Sequence, residues 1–64
     1  MVWRVTTIRD GRARHDPIAY ITKDDALKVI KSSLDNGVID SAYIVDPYSK
    51  TEDWAAVKKA LGLS

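Results

Sequence analysis

The stretch IRDGRARHDP, residues 8–17, decides how this chain begins to fold. Before it runs Val2–Arg9, a segment rich in Val, Thr, Trp and Ile with no breaker, which is the composition of a strand. Asp10-Gly11 follows directly. A two-residue type I′ turn needs positive φ at both central positions, and Asp-Gly meets that need at low steric cost. The expectation is a hairpin with Asp10-Gly11 at its tip, Arg9 facing Arg12, Ile8 facing Ala13 and Thr6 facing His15. Like charges then stand side by side near the tip. Pro17 donates no N–H and is tolerated only at an edge or bulge. The second arm is therefore expected to break at Asp16-Pro17 and resume as Ile18-Ala19-Tyr20-Ile21.

Downstream, Thr22-Lys23-Asp24-Asp25 reads as a helix start, with Thr22 as N-cap and two carboxylates near the positive end of the helix dipole. Leu27, Ile30 and Leu34 recur at helical spacing, and Asn36-Gly37 supplies a left-handed C-cap. The expected helix spans Lys23 to Asp35. Val38 to Asp46 is a further strand-like run ended by Pro47. Ser49-Lys50-Thr51-Glu52 then fits a capping box, opening a second helix with Trp54, Val57 and Leu61 at i, i+3 and i+7. Gly62 and Leu63 suit a Schellman ending. The tripeptide AYI occurs at 19–21 and again at 42–44, each time upstream of a helix pattern, as either a duplicated βα unit or a convergence of capped amphipathic helices.

The order is ββαβα, which makes the fold class α+β. A strand–helix–strand crossover is right-handed. Placing the first strand between the other two gives a three-stranded, antiparallel-type sheet of order 2-1-3 with two helices on one face, a two-layer sandwich. Alternate side chains on a strand point to opposite faces. If Ala19, Ile21, Ala42 and Ile44 face the helices, Trp3 and Val5 are their neighbours. The core would then be Trp3, Val5, Ala19, Ile21, Leu27, Ile30, Leu34, Ala42, Ile44, Trp54, Val57 and Leu61. Arg4, Tyr20, Tyr43 and Val45 fall on the other face, and no element remains to cover it.

Length and composition bound the function. Sixty-four residues make one domain, 1–64, burying only about 60% of the surface exposed by the unfolded chain. With no cysteine and one histidine, the chain has neither a disulfide framework nor the ligands of a structural zinc site. Hydrophobic residues make up 45% and charged residues 30%, a globular balance. The opening residues are too polar for a signal sequence, and no apolar run approaches membrane-spanning length, so a cytoplasmic protein is expected. Net charge is +1, yet residues 1–23 carry five basic and two acidic side chains while 24–53 carry three and seven. A pI near 8.0 is below that of a dedicated nucleic-acid binder.

Candidate chemistry is sparse. Only His15 can serve as a base for a serine nucleophile. The acidic residues belong to helix starts, turns and strand ends, without the spacing of a calcium loop, and the three glycines mark turns or helix ends rather than a phosphate loop. No enzyme activity, cofactor or metal is expected. Two functions remain. One is a small non-catalytic protein-binding module, an adaptor, regulator or inhibitor, which uses the uncovered face (Arg4, Tyr20, Tyr43, Val45) or a strand edge to bind another protein or a second copy of itself. The alternative is a single-stranded nucleic-acid binder, with Arg9, Arg12, Arg14 and His15 on phosphates and the tyrosines stacking bases.

Overall fold

The computed structural model describes residues 1–63. Six elements follow in order: β1 (Arg4–Arg9), β2 (Arg12–His15), α1 (Lys23–Asp35), β3 (Ser41–Val45), β4 (Thr51–Glu52) and α2 (Trp54–Leu61). They form an α+β sandwich whose antiparallel sheet has the order β2-β1-β3-β4. The expected 2-1-3 arrangement is present, extended by one strand.

The first hairpin has the expected register, with Arg9 opposite Arg12, Ile8 opposite Ala13 and Thr6 opposite His15. Both turn residues take positive φ, 51° at Asp10 and 77° at Gly11, as a type I′ turn requires. Its second arm departs from expectation, because β2 ends at His15 and residues 18–21 do not rejoin the sheet as a strand. Only an isolated bridge between Trp3 and Tyr20 survives there. The cause lies at Asp16, whose Oδ1 accepts the Ile18 N–H at 2.9 Å while Oδ2 accepts the Tyr20 hydroxyl at 2.7 Å. These local bonds, beside a proline with no N–H, hold the segment in a turn. Ala19 and Ile21, expected in the core, are exposed, Ile21 to 76%. The AYI echo is therefore not a structural repeat: 19–21 is loop and 42–44 is strand.

The second departure is β4. Ser49 does not cap α2. Asp46 Oδ1 accepts the N–H groups of Tyr48 and Lys50, each at 2.8 Å, and Ser49 adopts a left-handed φ of 68°. The chain reverses, and Thr51 and Glu52 pair with Val45 and Ile44. Asp53 becomes the N-cap instead, accepting the Ala56 N–H at 3.0 Å. Lys23 Nζ on α1 reaches Glu52 Oε1 at 2.8 Å and lies 5.9 Å from the Trp3 ring centre, tying β4 to the start of α1. The other helix ends match the sequence: Thr22 accepts the Asp25 N–H, and Leu63 N–H to Lys58 with Gly62 N–H to Lys59 closes α2 in a Schellman motif.

Both helices pack on one side of the sheet. Val5, Ala42 and Ile44 meet Ala26, Leu27, Ile30 and Val57 in a buried cluster, flanked by half-buried Trp3, Leu34, Trp54 and Leu61. Tyr20 and Ile39 join this flank. Among the described residues no helix is long and apolar enough to cross a membrane.

Candidate functional site

Strand register sorts the candidate residues onto two faces. Arg4 pairs with Val45, Thr6 with both Tyr43 and His15, and Ile8 with Ser41 and Ala13. These residues alternate with the core set Val5, Ala42 and Ile44, so they occupy the face opposite the helices. Three of the four residues expected on the uncovered face are thus brought together: Arg4, Tyr43 and Val45. Tyr20 is not with them. It bridges to Trp3 and packs against the core on the helix side, its hydroxyl bound to Asp16. Burial, the Asp16 hydrogen bond and the Asp16 charge together push its phenol up to about 12.

At the centre of the uncovered face, Thr6 Oγ1 lies 2.9 Å from His15 Nδ1. Thr6 is only 4% exposed although no helix lies over it, so its strand neighbours shade it on both sides. The floor is a depression of about 520 Å³ lined by Arg4, Thr6, His15, Tyr43, Val45 and Pro47, with Met1 and Val2 at its rim. A hydroxyl beside an imidazole has the outline of an activated nucleophile. Here the hydroxyl is buried, and among the described residues no carboxylate orients the ring. The pair reads as a cross-strand link.

No family model matches this chain, and neither a curated protein nor a solved structure does. The arrangement of side chains alone carries the functional argument.

The second candidate group, Arg9, Arg12, Arg14 and His15, is divided by the same parity. His15 joins Thr6 and Tyr43, whereas Arg12 and Arg14 pair with Arg9 and Thr7 on the helix side. All three arginines line a cleft of about 450 Å³ between the hairpin and α1, with Val29, Ser33 and Ile39 as its wall. Arg9 donates to the Val38 carbonyl at 3.4 Å and sits 3.9 Å from Asp10. Among the described residues neither Arg12 nor Arg14 has an ion pair. Alternation alone separates His15 from Arg12 and Arg14. The α1 wall, however, requires the tertiary arrangement, as does the shading of Thr6. Among the described residues no cluster of three or more metal-ligating side chains forms.

Proposed function

We propose that this chain is a small non-catalytic protein-binding module whose contact surface is the uncovered sheet face. One observation carries the reading: both helices lie on one side of the sheet, and among the described residues no helix or strand packs over half-buried Tyr43 and Val45 or exposed Arg4 on the other. Tyr contributes apolar area at small entropic cost, and an adjacent Arg supplies charge and a planar stacking group, the mixture found where proteins meet. The rim adds Met1, 82% exposed, which increases the apolar area open to a partner. A cytoplasmic setting belongs to the same proposal.

Single-stranded nucleic acid fits this geometry less well. A base stacked on Tyr43 would leave its phosphates on the face away from Arg9, Arg12 and Arg14, and Tyr20 offers no platform beside Tyr43. The test is affinity capture with wild type and two variants, Tyr43→Ala and Arg4→Ala, each checked for fold by circular dichroism. The expected result is a protein retained after nuclease treatment whose affinity falls by about 1–3 kcal/mol in Tyr43→Ala. Capture abolished by nuclease, or unchanged in both variants, overturns the reading.

A further inference from the structure

The three guanidinium groups on the helix side of the hairpin have no role in that contact surface. Arg9 and Arg12 are direct cross-strand partners, and Arg14 follows Arg12 two residues on, so all three project to one side of one ribbon. Like charges placed opposite each other destabilise a strand pair. The protein leaves this repulsion without a counter-charge on Arg12 or Arg14 among the described residues. One carboxylate, Asp16, also lines the cleft, but both its oxygens already accept hydrogen bonds from Ile18 and Tyr20.

The backbone beside these arginines is open. β2 is an edge strand, and all four of its residues are exposed. In a two-residue hairpin the residues flanking the turn, here Arg9 and Arg12, exchange hydrogen bonds, and bonding then alternates along the ladder. The Asp16 N–H bond to the Val5 carbonyl, 2.9 Å, continues that alternation. Arg12 and Arg14 therefore turn their backbone groups inward, while those of Ala13 and His15 point away from the sheet. An incoming strand finds free main-chain partners at Ala13 and His15 and a guanidinium on each side of Ala13.

We propose that the β2 edge binds an extended, acidic peptide segment of a partner protein, which adds as a further strand and sets alternate carboxylates against Arg12 and Arg14. The spacing matches, because residues i and i+2 of an extended peptide share a face, as Arg12 and Arg14 do. Charge selects the partner. A second copy of β2 would bring arginines against arginines, so self-pairing is disfavoured, whereas an acidic strand forms charge-assisted bonds with the same groups. The cleft wall of Val29 and Ile39 offers apolar contact and no aromatic platform, which suits a peptide rather than unpaired bases. This site is separate from the uncovered face, and either can fail without the other.

The test uses the full chain and a short labelled peptide of alternating Glu and Thr, followed by fluorescence anisotropy and by amide NMR. Saturable binding is expected, weakened about tenfold or more in the Arg12→Ala/Arg14→Ala double variant and little changed in Tyr43→Ala. The Ala13 and His15 amides should become protected from exchange when peptide binds. A peptide of alternating Lys and Thr should not bind. Equal affinity for the Lys peptide, no loss in the double variant, or unprotected Ala13 and His15 amides overturns the proposal. Single-stranded oligonucleotide binding more tightly than the Glu peptide, with a steep salt dependence removed by the double variant, would replace the peptide with a nucleic acid.

Discussion

The Tyr20 hydroxyl donates a 2.7 Å hydrogen bond to Asp16 Oδ2, fastening the loop between β2 and α1 to the foot of the hairpin. Its burial, reinforced by that bond and by the Asp16 charge, raises the phenol from 10.0 to about 12. The neutral form is thus favoured in the folded protein. Below pH 10 both folded and unfolded states hold the proton and Tyr20 adds no pH dependence. As pH climbs from about 10 towards about 12 the unfolded tyrosine ionises first, and the stability it contributes is lost. Tyr20→Phe should flatten the alkaline fall in stability over that window, measured by urea unfolding at a series of pH values. Parallel curves for the two proteins would show that the hydroxyl is not held this way.

The two candidate caps of α2 make opposite predictions. Asp53 Oδ1 accepts the Ala56 N–H, so Asp53→Ala should cost about 1 kcal/mol. Ser49 caps nothing and sits at a φ of 68°, so Ser49→Gly should be neutral or stabilising. Denaturant titration of both variants decides the point. A loss at Ser49 larger than at Asp53 would restore the capping box read from Ser49 to Glu52.

At the first turn the strain is purely conformational. A Cβ on Gly11 meets nothing within 4 Å, yet φ is 77°. Gly11→Val should therefore destabilise by about 1–2 kcal/mol, and Gly11→Asn by less, because Asn tolerates the left-handed region. Thermal unfolding of the pair checks the order, and equal stability of wild type and Gly11→Val would count against this turn.

Core and loop isoleucines should respond in opposite ways. Ile30 is fully buried, and Ile30→Ala is expected to cost about 2–5 kcal/mol. Ile21 is 76% exposed, so Ile21→Ser should change stability by no more than about 0.5 kcal/mol. A large loss at Ile21 would mean that 18–21 packs as a strand after all.

His15→Ala should preserve the fold while removing the side-chain partner of the Thr6 hydroxyl, at a cost of about 1 kcal/mol. The double variant Thr6→Val/His15→Ala removes both polar partners and should recover part of that loss. A double-mutant cycle by urea unfolding measures the coupling, and a cycle that closes with no interaction energy would sink the cross-strand link.

What the sequence determined by itself is local. The register from Arg9–Arg12 to Thr6–His15 follows from the φ demands of Asp10-Gly11, the start of α1 from the Thr22 hydroxyl beside the Asp25 N–H it satisfies, and the ends of α1 and α2 from Gly37 and Gly62, whose positive φ lets the next backbone N–H groups close onto the last carbonyls. The inward set Val5, Ala42 and Ile44 follows from strand alternation. Only the tertiary structure decided the fate of segments whose composition suits two states. Ile18–Ile21 has the composition of a strand and 49–52 the pattern of a capping box, but Asp16 and Asp46 each recruit nearby N–H groups into turns. Thr51 and Glu52 then find partners in β3, and Tyr20 is drawn to the helix side beside Trp3. Backbone groups are satisfied by whichever partner the folded chain brings within reach. For residues 18–21 and 49–52 the turns themselves are local, set by Asp16 and Asp46, whereas the bridge of Tyr20 to Trp3 beside β1 and the pairing of Thr51 and Glu52 with β3 are contacts that local spacing does not specify.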